Sequence, residues 1–260
     1  MITQEENDLL TQTNKDTPCG ELMRRYWQPA ALSEELAADK PLPVQLFGEE
    51  LILFRDAEDK PALIGRYCAH QGVDMIYGRV EPDGLRCMYH GWLFDNCGKV
   101  VLRGDWLPEK ERRWDVGQPA YPCVEAGGVI FTYMGPDEPP ALPSHKFLLL
   151  PEEKCAVSKV LHGKNYLQAI REAADPASEL SDFILPNLTL FSAASPGAES
   201  VVRWCVPVDD QSHLEYKFQF TGKLPFTGEP RTAAHEVLLR AVQEMRAARQ
   251  PSAKSAEKTL

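Results

Sequence analysis

Residues 68–90 read C-A-H-Q-G-V-D-M-I-Y-G-R-V-E-P-D-G-L-R-C-M-Y-H. Two cysteines and two histidines, Cys68, His70, Cys87 and His90, fall as C-x-H, a sixteen-residue gap, and C-x-x-H. A [2Fe–2S] cluster needs two protein ligands per iron, and two pairs held in tight loops supply them. Replacing Cys₂ by His₂ on one iron raises the reduction potential well above that of the all-Cys cluster. A structural zinc site uses the same residue types, but its knuckle prefers C-x₂₋₄-C, which C-x-H is not. Gly72 and Gly91 follow the two histidines closely, as sharp ligand loops require. Tyr89, Trp92 and Phe94 are expected to give apolar cover. Each ligating imidazole keeps one outward ring nitrogen, a natural exit for the electron and a place to take up a proton.

Beyond the four ligands, C-A-H-Q-G and L-R-C-M-Y-H-G-W-L-F-D resemble the cluster motif of the Rieske non-heme iron (ring-hydroxylating) oxygenases, in their phthalate-dioxygenase-like branch. The resemblance extends to G-E-L-M-R-R-Y-W-Q-P-A-A-L-S-E-E-L (20–36), G-E-E-L-I-L-F-R-D (48–56) and Y-P-C-V-E-A-G-G-V-I-F-T-Y-M-G-P (121–136), and runs from about residue 1 to 170. It implies an α+β protein: N-terminal helices, a small antiparallel β Rieske domain, then a shortened helix-grip-like α/β catalytic domain. It also implies an oxygenase component that takes electrons from a flavin or iron–sulfur reductase, or from a ferredoxin. NAD(P)H acts only indirectly, through the reductase.

On this reading residues 1–42 are an N-terminal helical segment, 43–147 the Rieske domain, 148–248 the shortened catalytic-type domain and 249–260 a tail of disordered composition. Helix is expected over 3–26, opened by a Thr3/Glu6 capping box, with Leu9, Leu10, Leu22 and Met23 as apolar faces. Leu51–Phe54, Ala62–Arg66, Val129–Tyr133, Cys155–Leu161, Val201–Val208 and Leu214–Phe220 read as strands. In the last, Leu214, Tyr216, Phe218 and Phe220 alternate with polar residues, so one face is buried. Thr232–Arg249 reads as an amphipathic helix, and the Pro-rich run 137–143 as a boundary.

The second metal site departs from the pattern. The family holds Fe(II) with two histidines and a carboxylate, in a D-x-x-H signature downstream of N-Y-L-Q-A. Asn165-Tyr166-Leu167-Gln168-Ala169 and Asp175-Pro176-Ala177 are in place, but the ligand position is Ser178, and no His occurs between 163 and 212. A serine hydroxyl is a weak neutral donor. Glu172, Asp175, Glu179 and Asp182 offer only oxygen, which suits harder ions. The expectation is that this chain does not hold its own mononuclear iron. By resemblance, Asp175 is the carboxylate that bridges a neighbouring subunit's Rieske His to that iron; a turn or N-cap Asp before Pro176 is the competing reading. His162 is expected to be packed or solvent-facing, and His213, in a D-D-Q-S-H turn, exposed.

A net charge of −10 argues against nucleic acid, and no run of apolar residues is long enough to span a membrane. The start M-I-T-Q-E-E-N-D lacks the features of a signal peptide, and five scattered cysteines besides the ligands read as reduced thiols in a cytoplasm. Two functions follow. One is a Rieske oxygenase component that hydroxylates or demethylates a small aromatic-type compound, in a homotrimer or a hetero-oligomer. The other is a non-catalytic electron carrier that feeds a catalytic sister subunit.

Overall fold

The computed structural model describes residues 3–102, 116–173, 182–191, 195, 197–222, 229–230 and 234–249. Two short helices open the chain, α1 (Gln4–Thr11) and α2 (Pro18–Arg24). The capping box forms: Glu6 N donates to Thr3 Oγ1 at 3.2 Å and Thr3 N donates to the Glu6 carboxylate at 2.8 Å. The expected continuous helix over 3–26 is broken between the two. Pro18 lacks the N–H that an interior position needs and forces Thr17 into extended backbone, while Asp16 adopts a left-handed φ of 68°. The freed N–H groups of Thr13 and Asn14 donate to the Asp210 carboxylate at 2.6 and 3.1 Å.

The part that carries the four predicted ligands is built on three small antiparallel sheets. β2 (Leu42–Leu46), β3 (Glu49–Arg55), β4 (Pro61–Gly65) and β9 (Ala120–Tyr121) form one, in the order β2-β3-β4-β9. β5 (Arg79–Glu81), β6 (Gly84–Arg86), β7 (Leu93–Phe94) and β8 (Val100–Leu102) form a second as a meander. The third joins β1 (Gln28–Leu32) to β11 (Val129–Thr132) and β10 (Cys123–Ala126). The first 42 residues thus include a strand that pairs far along the chain.

The apolar run of β3 explains how the sheets stack. Leu51 and Leu53 point into the main core, whereas Ile52 and Phe54, with Ala62, Ile64, Met75, Leu85, Trp92 and Phe94, form a second core that contains Cys68 and Cys87. A strand covered on both faces reads as continuous hydrophobics rather than an alternation. β3 and β4 are therefore the wall between the cluster end and the rest of the molecule.

The second part is a six-stranded antiparallel sheet, ordered β12-β16-β15-β14-β13-β17: β12 (Cys155–His162), β13 (Asp182–Ile184), β14 (Leu188–Phe191), β15 (Glu199–Pro207), β16 (His213–Thr221) and β17 (Glu229–Pro230). Tyr216, Phe218 and Phe220 of β16 are buried, as the alternation requires. α3 (Tyr166–Ala173) packs on β15, and α4 (Ala234–Arg249) packs on α1 and α2 with Leu238 and Val242 fully buried. Residues 250–260 lie outside the described residues.

His213 corrects the sequence expectation. Asp209 accepts the turn's N–H groups from Gln211 and Ser212, each at 2.8 Å, so His213 is already the first residue of β16 and is fully buried. The two halves are tied by the N-Y motif. Tyr166 donates to the Leu10 carbonyl at 2.8 Å, and Asn165 Nδ2 donates to the carbonyls of Thr11 and Asp210 at 2.9 and 2.7 Å. Among the described residues no helix is long and apolar enough to cross a membrane.

Candidate metal centre

Two loops of matching geometry hold the four predicted ligands. In the first, Cys68 N donates to Val73 O at 2.8 Å and Gly72 N to Cys68 O at 2.7 Å. In the second, Cys87 N donates to Trp92 O at 2.7 Å and Gly91 N to Cys87 O at 3.0 Å. Both glycines close their loops at φ 69°, a left-handed conformation that other residues resist. Gly72 has open space where a Cβ would point, so Gly72→Ala is expected to act through backbone strain alone. The expected cost is about 1–2 kcal/mol, read by chemical denaturation, with fewer chains retaining iron after gel filtration.

Each loop is braced by an arginine on its flank. Arg66 grips Asp74 through Nε and Nη2, the shortest contact 2.7 Å, and reaches Glu50 at 3.1 Å; Asp74 in turn accepts from Ile76 N at 3.0 Å. Arg86 donates Nη1 to the Gly91 carbonyl at 2.8 Å while Nε and Nη2 hold Glu81 at 2.7 and 2.6 Å. Arg86, then Arg79, hold the Glu81 carboxyl down at about 2, so the brace stays charged well into acid.

The ligands gather as two like pairs. Cys68 and Cys87 are buried, and their thiols lie against one another. The half-buried rings of His70 and His90 stand edge to face, centroids 4.6 Å apart. Trp92 stacks on His70 at 4.6 Å with planes 6° from parallel. Burial pushes the Cys68 thiol up to about 11, and the backbone N–H groups of His70 and Gln71, directed at its sulfur, pull the other way. A bound metal would take the thiolate, so the thiol proton would leave to solvent and the N–H groups of His70 and Gln71 would then donate to the charged sulfur.

Thiol beside thiol and imidazole beside imidazole suits a two-iron cluster with one iron at each pair. Among the described residues no three His, Cys, Asp or Glu converge as ligands of a single ion must. Trp92 and Phe94 give the expected apolar cover, but Tyr89 does not. It is 63% exposed and lies beside His90, and the neighbouring Met88 is exposed as well.

The other candidates are dispersed. Asp175, Ser178 and Glu179 lie outside the described residues, as does the side chain of Asp182. Glu172 pairs with Lys164 at the surface. His145 stacks on Phe147 with centroids 5.3 Å apart. His162 and His213, distant in sequence, stand side by side.

With this geometry in view, comparison with known proteins is direct. Residues 26–108 match the family model of the Rieske [2Fe-2S] domain. The chain is 35% identical over 221 residues to the phthalate 4,5-dioxygenase oxygenase subunit of Pseudomonas putida, covering 82% of this chain. The chain therefore carries a Rieske [2Fe-2S] domain and is similar to the oxygenase subunits of the phthalate-dioxygenase type. It spans 48% of the length of that curated relative. Apo dicamba monooxygenase shares the fold, with a TM-score of 0.68 at 16% identity, covering 88% of this chain and 99% of that one. So does the oxygenase in the reduced oxygenase–ferredoxin complex of carbazole 1,9a-dioxygenase, with a TM-score of 0.62 at 16% identity over 95% of this chain and 81% of that one.

Proposed function

We propose that this chain is the cluster-bearing oxygenase component of a Rieske system, taking electrons from a ferredoxin or reductase and passing them on for O₂ activation at a mononuclear iron. The reaction class is hydroxylation or demethylation of a small aromatic-type compound, in line with relatives named phthalate 4,5-dioxygenase and 5,5'-dehydrodivanillate O-demethylase. The observation that carries this is the pairing of Cys68 with Cys87 and of His70 with His90 on braced loops. When bound, the [2Fe–2S] cluster supplies one-electron transfer at the raised potential of mixed His and Cys ligation.

The residues here divide the work. The buried thiols exclude water from one end of the site. The half-buried imidazoles, with exposed Tyr89 beside His90, mark the end of the site where a donor protein docks. A ferredoxin donor agrees with the complex formed by the carbazole oxygenase. All seven cysteines are free thiols, which fits a reducing cytoplasm. A homotrimer or a hetero-oligomer would let one subunit's histidines serve its neighbour, with Asp175 as the bridging carboxylate.

A second reading has its own support. The absence of any His between 163 and 212 favours an electron carrier that feeds a catalytic sister subunit. Anaerobic reconstitution followed by iron and acid-labile sulfide counting, with oxygen uptake in the presence of a reductase, separates the two. Iron in excess of sulfide together with oxygen uptake supports a complete oxygenase. Equal iron and sulfide with no uptake supports the carrier. Iron without labile sulfide defeats both.

A further inference from the structure

The outer face of the six-stranded sheet carries two adjacent cations that the fold leaves without a close counter-ion. Val202, Trp204 and Phe218 point into the core, so Arg203 and Lys217, which alternate with them, stand on the opposite face. The register sets Arg203 of β15 directly opposite Lys217 of β16, with Thr189 of β14 beside the first and Ser158 of β12 beside the second. Both cations are half-buried. Like charges placed directly across an antiparallel pair repel, so this pairing costs the sheet stability.

Elsewhere the chain neutralises its arginines closely. Arg55 is held by Glu125 at 2.9 Å, Arg66 by Asp74 at 2.7 Å and Arg86 by Glu81 at 2.6 Å. For Arg203 the nearest carboxylate oxygen, Glu215 Oε2, is 3.9 Å from Nε, beyond hydrogen-bond reach. Among the described residues Lys217 has no ion pair at all. Acidic residues outnumber basic ones 38 to 28 in this chain, so counter-ions are not scarce. We propose that Arg203 and Lys217 bind the carboxylate of a small aromatic acid on this face of the sheet. The inference names a substrate class for the oxygenase reading and rests on that reading for the acid's role as substrate.

Arg203 is prepared for a planar anion. Its guanidinium carbon lies 4.8 Å from the centroid of the Phe191 ring, a contact that restrains the fork. Nε is buried and lies toward Glu215, so Nη1 and Nη2 are the edge left to a ligand. That edge fits a carboxylate through two parallel N–H···O bonds, and the Lys217 ammonium adds a point charge from the adjoining strand. An anion seated between them also removes the repulsion across β15 and β16. Half-buried Val201, two residues before Arg203 on the same face, pairs with half-buried Phe191. Together they offer the apolar ground on which an aromatic ring rests. A bare phosphate would satisfy the charges and leave that ground unused. One end of the face is closed, because α3 packs on β15 and the Lys164 carbonyl meets His213 Nδ1 at 2.7 Å.

The test is a ligand-observed NMR titration of the full chain at low salt, where charges are least screened. Benzoate is expected to bind saturably. Acetate lacks the ring, benzamide lacks the charge and inorganic phosphate lacks the apolar body, so each is expected to bind at least tenfold more weakly. Arg203→Met and Lys217→Met keep an apolar stem and remove the charge, and each is expected to weaken benzoate at least tenfold. Lys217→Met also removes the repulsion, so its Tm without benzoate should be no lower than the parent's. Benzoate should raise the Tm of the parent and not that of the variant. Where Arg203→Met does not fold, Lys217→Met carries the comparison. The proposal is overturned by a parent that does not bind benzoate saturably, by any of the three other probes binding as tightly, or by unchanged benzoate affinity in Lys217→Met. Binding is read without turnover, so a chain that binds benzoate but takes up no oxygen loses the oxygenase reading and keeps the carboxylate site.

Discussion

Replacing His90 with cysteine is expected to abolish the optical and EPR signature of the mixed-ligand cluster while leaving the chain folded. His90 stands edge to face with His70, and on the proposed assignment both are neutral ligands of one iron. A thiolate in place of an imidazole adds a negative charge at that iron and removes its outward N–H. The reduction potential should then drop by roughly 250 mV or more, the gap between the lower end of the Rieske range and the plant-type all-Cys clusters. Protein-film voltammetry of His90→Cys reads the shift directly. The loop itself tolerates the change, because Gly91 N to Cys87 O and the Arg86 brace involve backbone groups. A variant with the parent spectrum and potential would mean that His90 is not a ligand.

That experiment tests the part of the molecule most legible in sequence, and the reason is locality. Each ligand pair sits within a few residues of its partner, in a loop whose turn is announced by glycine, so spacing alone determines geometry. The capping box of α1 and the alternation of β16 are local in the same way. What failed to show in sequence depends on pairing between distant segments. β1 pairs with β11, and the His162–His213 contact exists only because β12 and β16 pair in one register. The polar signals around His213 belong to the turn Asp209–Ser212, one residue earlier, so they suggest an exposure that the buried start of β16 does not have. The helix break before Pro18 was readable from Pro18 itself, but the apolar residues on either side masked it. Tyr89 and Trp92 look equivalent as cover, yet one lies outward beside His90 and the other is buried against His70. Only the sheet that Trp92 packs on distinguishes them.

Trp92 is where stability and redox function meet, and Trp92→Ala is expected to damage both. The side chain is 1% exposed and packs with Ile52, Phe54, Leu85 and Phe94, so its removal leaves a cavity in the smaller of the two cores. Truncations of this size cost about 3–5 kcal/mol, a large share of the few kcal/mol by which a domain is stable. The stack on His70 is lost as well, and with it the surface that fixes that ring. Two effects therefore separate experimentally. Chemical denaturation of the apo chain reports the cavity alone, whereas the rate of iron release to a chelator from the loaded chain reports the freed imidazole. Trp92→Phe preserves a ring against His70 and part of the volume, so it should recover most of the metal retention and only part of the stability. If Trp92→Ala instead kept its denaturation midpoint and released iron no faster than the parent, the second core would not be what holds the cluster end together. The two arginine braces would then be left to position the ligand loops by themselves.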